Sequence, residues 1–221
     1  MKTNVIFVTM LCISLLSCNK EDVEPNNNNN NNNNATAALA FADLTFNTTN
    51  AYFSTNGSMT SPVDSNQAKT ITDIIDITFI FNYDYTKPGF FDPVARSQEW
   101  YWDDYYSPWL SNAVETRYYT TNLTKAKFDD ATADQSKIGA YFADTSSIVL
   151  APHGLFPTGS CIGGRHTYSP SSATLSQGQV FGFKNTSSGK RGLLYIRTDQ
   201  YSGWPIPISS FDTKVDLIRE N

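Results

Sequence analysis

The chain has 221 residues and a formal net charge of −5, from 16 Lys and Arg against 21 Asp and Glu. An acidic chain with scattered cations is a poor binder of nucleic acid, and no run reaches the about 20 apolar residues that a membrane-spanning helix needs. The length suits one domain with a sizeable core, and 14 Phe, 12 Tyr and 4 Trp supply much of the apolar volume.

At the N-terminus, Lys2 precedes an apolar run of 12 residues from Val5 to Leu16. That is the length of a secretory signal core. The run closes on Leu15-Leu16-Ser17-Cys18, which resembles the lipobox of bacterial lipoproteins. In that family the leader is cut just before the cysteine, and the cysteine sulfur carries a diacylglycerol. The resemblance implies that residues 1–17 are a signal peptide, that Cys18 is the lipidation site and that the lipid bilayer is a partner. A single acyl chain binds membranes reversibly; the two or three chains of this family imply a permanent anchor. Lys20-Glu21-Asp22-Val23-Glu24 follows. An acidic cluster directly after a Lys is similar to the export signal of surface lipoproteins in Bacteroidota-type bacteria. It implies an outer-membrane protein whose domain faces the cell exterior.

Residues 26–34 are nine consecutive asparagines. Asn side chains compete for backbone hydrogen bonds, and such a run buries nothing that offsets its ordering entropy. Residues 18–37 therefore read as a tether, and the coil from Asn19 to Ala35 has an expected reach of about 20–25 Å. The folded part is expected over 38–221, as one domain.

Strands are expected at Ala42 to Phe46 and Ala51 to Ser54. From Ile74 to Tyr85 the pattern alternates with period two. Ile75, Ile77, Phe79, Phe81, Tyr83 and Tyr85 share one dry face, and Ile74, Asp76, Thr78, Ile80, Asn82 and Asp84 share the other, which is mostly wet. This predicts an antiparallel sheet covered on one side. A helical insertion is expected after Thr124, through Phe128 and Ala131. Thr132 with Gln135 reads as a capping box ahead of the stripe Ile138, Tyr141 and Phe142. Gln179 to Lys184 and Leu193 to Arg197 read as strands flanking a turn rich in Asn, Ser and Gly. Trp204-Pro205-Ile206-Pro207 must be extended and cannot be a central strand. Lys214 to Ile218 should be the last strand. The expected fold is mainly β, an antiparallel β-sandwich-like domain with a short helical insertion, with α+β as the alternative.

Two segments carry candidate chemistry. Trp100-Tyr101-Trp102-Asp103-Asp104-Tyr105-Tyr106-Ser107-Pro108-Trp109 sets rings beside carboxylates and holds three of the four tryptophans. Flat, stiff rings stack on the CH-rich face of a sugar while carboxylates bind hydroxyls, and such mixtures line ligand grooves. Trp100, Trp102 and Trp109 are the candidate stacking residues, with Asp103 and Asp104 as hydroxyl acceptors. Packing of these rings into a small core is the competing reading. In the second segment His153 and His166 bracket Cys161, the one thiol left after cleavage and lipidation. Imidazole can take a thiol proton and free a thiolate nucleophile, although the spacing matches no cysteine-hydrolase motif. No tight spacing supports a zinc site, and no metal or cofactor is expected.

The leading expectation is a non-catalytic ligand-binding domain, with polysaccharide as the ligand class. A cysteine-dependent hydrolase using Cys161 with His153 or His166 is one alternative. A structural or docking lipoprotein of an outer-membrane protein complex is the other.

Overall fold

The computed structural model describes residues 35–82, 87–98, 107–151, 154–155, 175–199 and 212–221. Two antiparallel sheets form the domain. In chain order the elements are β1 (Leu39–Phe46), β2 (Tyr52–Phe53), α1 (Ser65–Ala68), β3 (Ile77–Asn82), β4 (Lys87–Phe91), α2 (Pro93–Gln98), β5 (Thr116–Thr121), α3 (Lys125–Ala133), α4 (Ser136–Ala143), β6 (Ile148–Ala151), β7 (Gly154–Leu155), β8 (Val180–Asn185), β9 (Arg191–Asp199) and β10 (Thr213–Arg219). Short 3-10 turns cover Thr72–Ile74 and Pro108–Asn112. The large sheet has the order β1-β10-β9-β8-β5-β6 and the small sheet β2-β3-β4-β7. The mainly-β, sandwich-like expectation holds.

Period-two alternation sorts the large sheet into two dry faces. Phe181 and Phe183 of β8, Leu194 and Ile196 of β9, and Val215 and Leu217 of β10 point at the small sheet. There they join Phe53, Ile77, Phe79 and Phe90 in the main core. Val180, Leu193 and Ile218 point the other way, onto Phe128, Ala131 and Ile138 of the helical insertion. The insertion links β5 to β6, neighbours in the large sheet. Residues on both faces of a strand are buried where a second layer covers each side.

The same logic corrects the reading of the Ile74 strand. Its first residues form a 3-10 turn, and β3 begins at Ile77. Three residues of the face expected to be mostly wet are dry: Asp76, Thr78 and Ile80 are all buried. Helix α2 explains part of this, because Ala95 packs against Ile80 and Phe91 outside the small sheet. Thr78 stays satisfied by donating its hydroxyl to Phe91 O at 2.7 Å. Residues 83–86, where the alternation was expected to continue, lie outside the described residues, as does Trp204 to Pro207.

The expected capping box is also corrected. Thr132 lies inside α3, and its hydroxyl donates back to Phe128 O at 3.0 Å. Thr124 caps that helix by accepting from Lys127 N at 3.4 Å. Gln135 stands at the N-terminal boundary of α4 without a side-chain cap bond, and Asp134 before it accepts from Ser136 N at 3.1 Å.

Cross-strand register aligns Tyr118 with Phe183, Phe183 with Gly192, and Gly192 with Arg219. Directly opposed residues share a face, so this row crosses four strands facing the small sheet. A Cβ at Gly192 would lie 2.2 Å from Phe183 Cζ and 2.4 Å from Ile218 O. Gly192 thus makes the space that the Phe183 ring occupies.

Candidate functional site

Trp109 is the one described member of the expected ring cluster. The 3-10 turn that carries it starts on Pro108 and is pinned by Leu110, which is fully buried. Trp109 itself is half-buried, packed on the edge of the main core. Its ring meets Tyr52 of β2 at 5.1 Å between centroids, tilted by 57°. The Arg96 guanidinium lies 5.1 Å from the Tyr52 ring centre. The Lys69 ammonium lies 5.8 Å from the Trp109 ring centre. Cations are drawn to the negative face of an aromatic ring. The result is a linked set of two rings and two cations, running from buried Arg96 and Tyr52 to half-buried Trp109 and exposed Lys69.

Local structure holds this set in place. Asp92 caps α2 by accepting from Val94 N at 3.1 Å, and accepts from Thr116 N at 3.1 Å as well. Arg96 therefore rides on a helix tied to β5. Ser107 N donates to Arg96 O at 3.2 Å. This bond joins the two flanks of the ring-rich stretch, so that Arg96 and Ser107 stand side by side. Trp100, Trp102, Asp103 and Asp104 lie outside the described residues, as do His153, Cys161, His166 and Cys18.

A second polar cluster lies between the sheets. Asp76 is 1 % exposed. Its carboxylate accepts from Thr55 N at 2.8 Å and from the Thr55 hydroxyl. Arg219 Nη1 donates to Thr55 Oγ1 at 3.3 Å and to Asn56 Oδ1 at 2.9 Å. Burial pushes the Asp76 carboxyl up to about 6, against the pull of Thr55 and Arg219. Burial likewise raises Asp92 to about 6, with Glu115 adding to the effect. The Tyr118 hydroxyl is driven well above its ordinary range by burial and by Asp76 and Asp92. The Thr78 backbone favours its ionised form but makes no hydrogen bond of normal geometry with it, and the hydroxyl has no partner among the described residues. A carboxylate with a raised affinity for protons is a familiar catalytic resource. Asp76 is nonetheless sealed from solvent, and its contacts link three elements of the fold. This cluster links the large sheet to the turn after β2 and the entry to β3.

Nothing local in the sequence joins Asp76, Thr55 and Arg219. The one signal is Asp76 itself, a lone acid between Ile75 and Ile77. Among the described residues, no group of three or more His, Cys, Asp or Glu side chains is placed to hold a metal ion. No described helix is long and apolar enough to cross a membrane. No family model matches the chain, and neither a curated protein nor a solved structure matches it.

Proposed function

We propose that this protein is an outer-membrane lipoprotein, anchored through Cys18, whose β domain faces the exterior and binds polysaccharide without transforming it. The observation that carries the reading is the setting of Trp109. Its ring is held by the buried Tyr52, keeps part of its surface in water, and stands at the root of the segment that contains Trp100 and Trp102. A ring fixed in this way loses little freedom when a sugar stacks on it, which lowers the cost of binding. The tether expected from the poly-Asn run supports the same reading, because it would let the domain reach a large ligand beyond the membrane. Asp103 and Asp104 are the hydroxyl acceptors of this proposal.

The test is retention on a panel of immobilised polysaccharides, with Trp109→Ala compared against the parent chain. The expected result is retention of at least one polymer and a weakening of about five- to 150-fold in the variant, the range for losing about one to three kcal/mol of stacking on an aromatic ring, as for a nucleobase. Thermal unfolding of both proteins serves as the control for folding. Unchanged retention by a folded Trp109→Ala protein, together with Trp100→Ala and Trp102→Ala, overturns the proposal.

A second reading, docking onto an outer-membrane protein complex, is favoured by strand β6. Val149 and Leu150 are 58 % and 47 % exposed there, at the edge of the large sheet. Co-purification of a stoichiometric partner that Leu150→Lys releases is the expected result for that reading.

A further inference from the structure

Lys69 follows α1 directly and is exposed. Its ammonium is drawn to the Trp109 ring and makes no ion pair with any carboxylate among the described residues. Two acids lie close in sequence. Asp64 is engaged as the cap of α1, accepting from Gln67 N at 2.9 Å. Asp73 belongs to the following 3-10 turn and makes no ion pair with Lys69. In a chain with more acids than bases, an exposed cation resting on an aromatic ring is available to a negative group brought from outside.

From this geometry we infer that the sugar recognised at Trp109 carries a negative charge, as a uronate carboxylate or a sulfate ester. The inference rests on the polysaccharide reading and narrows it. Tyr52 meets the Trp109 ring within the core edge, and the Lys69 ammonium stands over the same ring, 5.8 Å from its centre. A sugar that stacks on the face under the ammonium requires the Lys69 side chain to lift from the ring. A neutral sugar gives the displaced ammonium only water and hydroxyls. A charged sugar gives it an ion pair while its CH face takes the ring. The ammonium is carried on a flexible four-carbon stem, so this exchange needs no backbone movement. Lys69 thus penalises neutral sugars at this ring and favours acidic ones, which is discrimination by a lost contact on one side and a gained contact on the other.

Polygalacturonate and its methyl-esterified form share one backbone and differ in charge. A sulfated galactan is the third ligand. Binding of each is measured with the full-length chain in detergent, at low and high salt. The expected result is tighter binding of at least one charged polymer than of the esterified one, roughly two- to fivefold per contact, the worth of an exposed ion pair. That preference should shrink as salt screens the charges. Lys69→Gln should remove the preference while binding the esterified polymer as well as the parent does or better. Binding of the sulfated galactan alone assigns the charge to sulfate, and binding of polygalacturonate alone assigns it to carboxylate. Equal binding of charged and neutral polymers, or a preference that survives in Lys69→Gln, overturns the inference and leaves the polysaccharide reading standing. If neither these polymers nor any on the wider panel is retained, both readings fall together.

Discussion

Arg219 of the large sheet donates to the hydroxyl of Thr55, in the turn that leaves β2 of the small sheet, at 3.3 Å. Thr55 passes the interaction on, because its own hydroxyl and amide both donate to Asp76. A cation from the large sheet and an acid at the entry to β3 of the small sheet are thus joined through a single hydroxyl. Both ions are buried. Their desolvation cancels much of their attraction, so the pair adds little net stability, yet removing one partner strands the other.

That asymmetry gives the first prediction. Arg219→Met should destabilise the domain by about 1–3 kcal/mol, because it removes the donor to Thr55 and Asn56 and the nearby positive charge that favours buried Asp76 as an ion. Adding Asp76→Leu should recover much of the loss. Urea unfolding of the two single variants and the double variant measures the coupling. Additive losses would show that the relay through Thr55 carries no energy.

The second prediction concerns pH. Asp76 holds its proton up to about 6 when folded and releases it near 3.8 when unfolded. Between those values the folded state binds more protons, so stability falls as pH rises through that window and levels off above it. The raised affinity corresponds to about 3 kcal/mol for the buried Asp76, and half-buried Asp92 adds a smaller part in the same direction. Urea midpoints should therefore drop between pH 4.5 and 7. Asp76→Asn should flatten the slope, and an unchanged slope in that variant would refute the assignment.

These relationships also mark what the sequence makes legible. Strands β8 and β9 can be read directly, since Val180-Phe181-Gly182-Phe183 and Leu193-Leu194-Tyr195-Ile196 are apolar runs around a turn of Thr, Ser and Gly. Strand β5 escapes notice because Arg117 and the threonines dilute its pattern, although Tyr118 is fully buried. Strand β4 is obscured by Pro88 and Gly89. Burial of the second face of β3 depends on α2, an element with too few turns to leave a helical period. At the candidate site, Trp109 is visible as one of several clustered rings. Its contacts with Tyr52 and Lys69 join segments that only the folded chain brings together. The same holds for Asp76 and Arg219.

The third prediction tests the packing row. Gly192→Ala places a methyl group against Phe183 Cζ and against Ile218 O, which is backbone and cannot rotate away. Overpacking of this kind costs about 1–3 kcal/mol. Phe183→Leu in the same background should relieve the ring contact and leave the carbonyl contact, recovering only part of the loss. Full recovery would place the whole strain in the ring, and no loss in Gly192→Ala would mean that β9 and β10 move apart freely.

The last prediction follows from the unequal edges of the large sheet. At β1 the ladder is interrupted between Phe41 and Leu44, and Asp43 sits there with φ of 57°. Asp43 is ringed by charge: Arg197 lies 3.3 Å from its carboxylate, and its amide donates to Asp216 at 2.9 Å. Bulges and charges of this kind blunt an edge against foreign strands. At β6, Ile148-Val149-Leu150-Ala151 carries neither bulge nor charge, and among the described residues it pairs with β5 alone. Leu150→Lys should therefore raise the protein concentration at which association begins, as read by light scattering. Because Leu150 is exposed, the thermal midpoint should stay nearly constant, with a stability change within about 0.5 kcal/mol. Association that is unaltered by Leu150→Lys, or that increases with it, would show that β6 is not the edge through which the domain meets other chains.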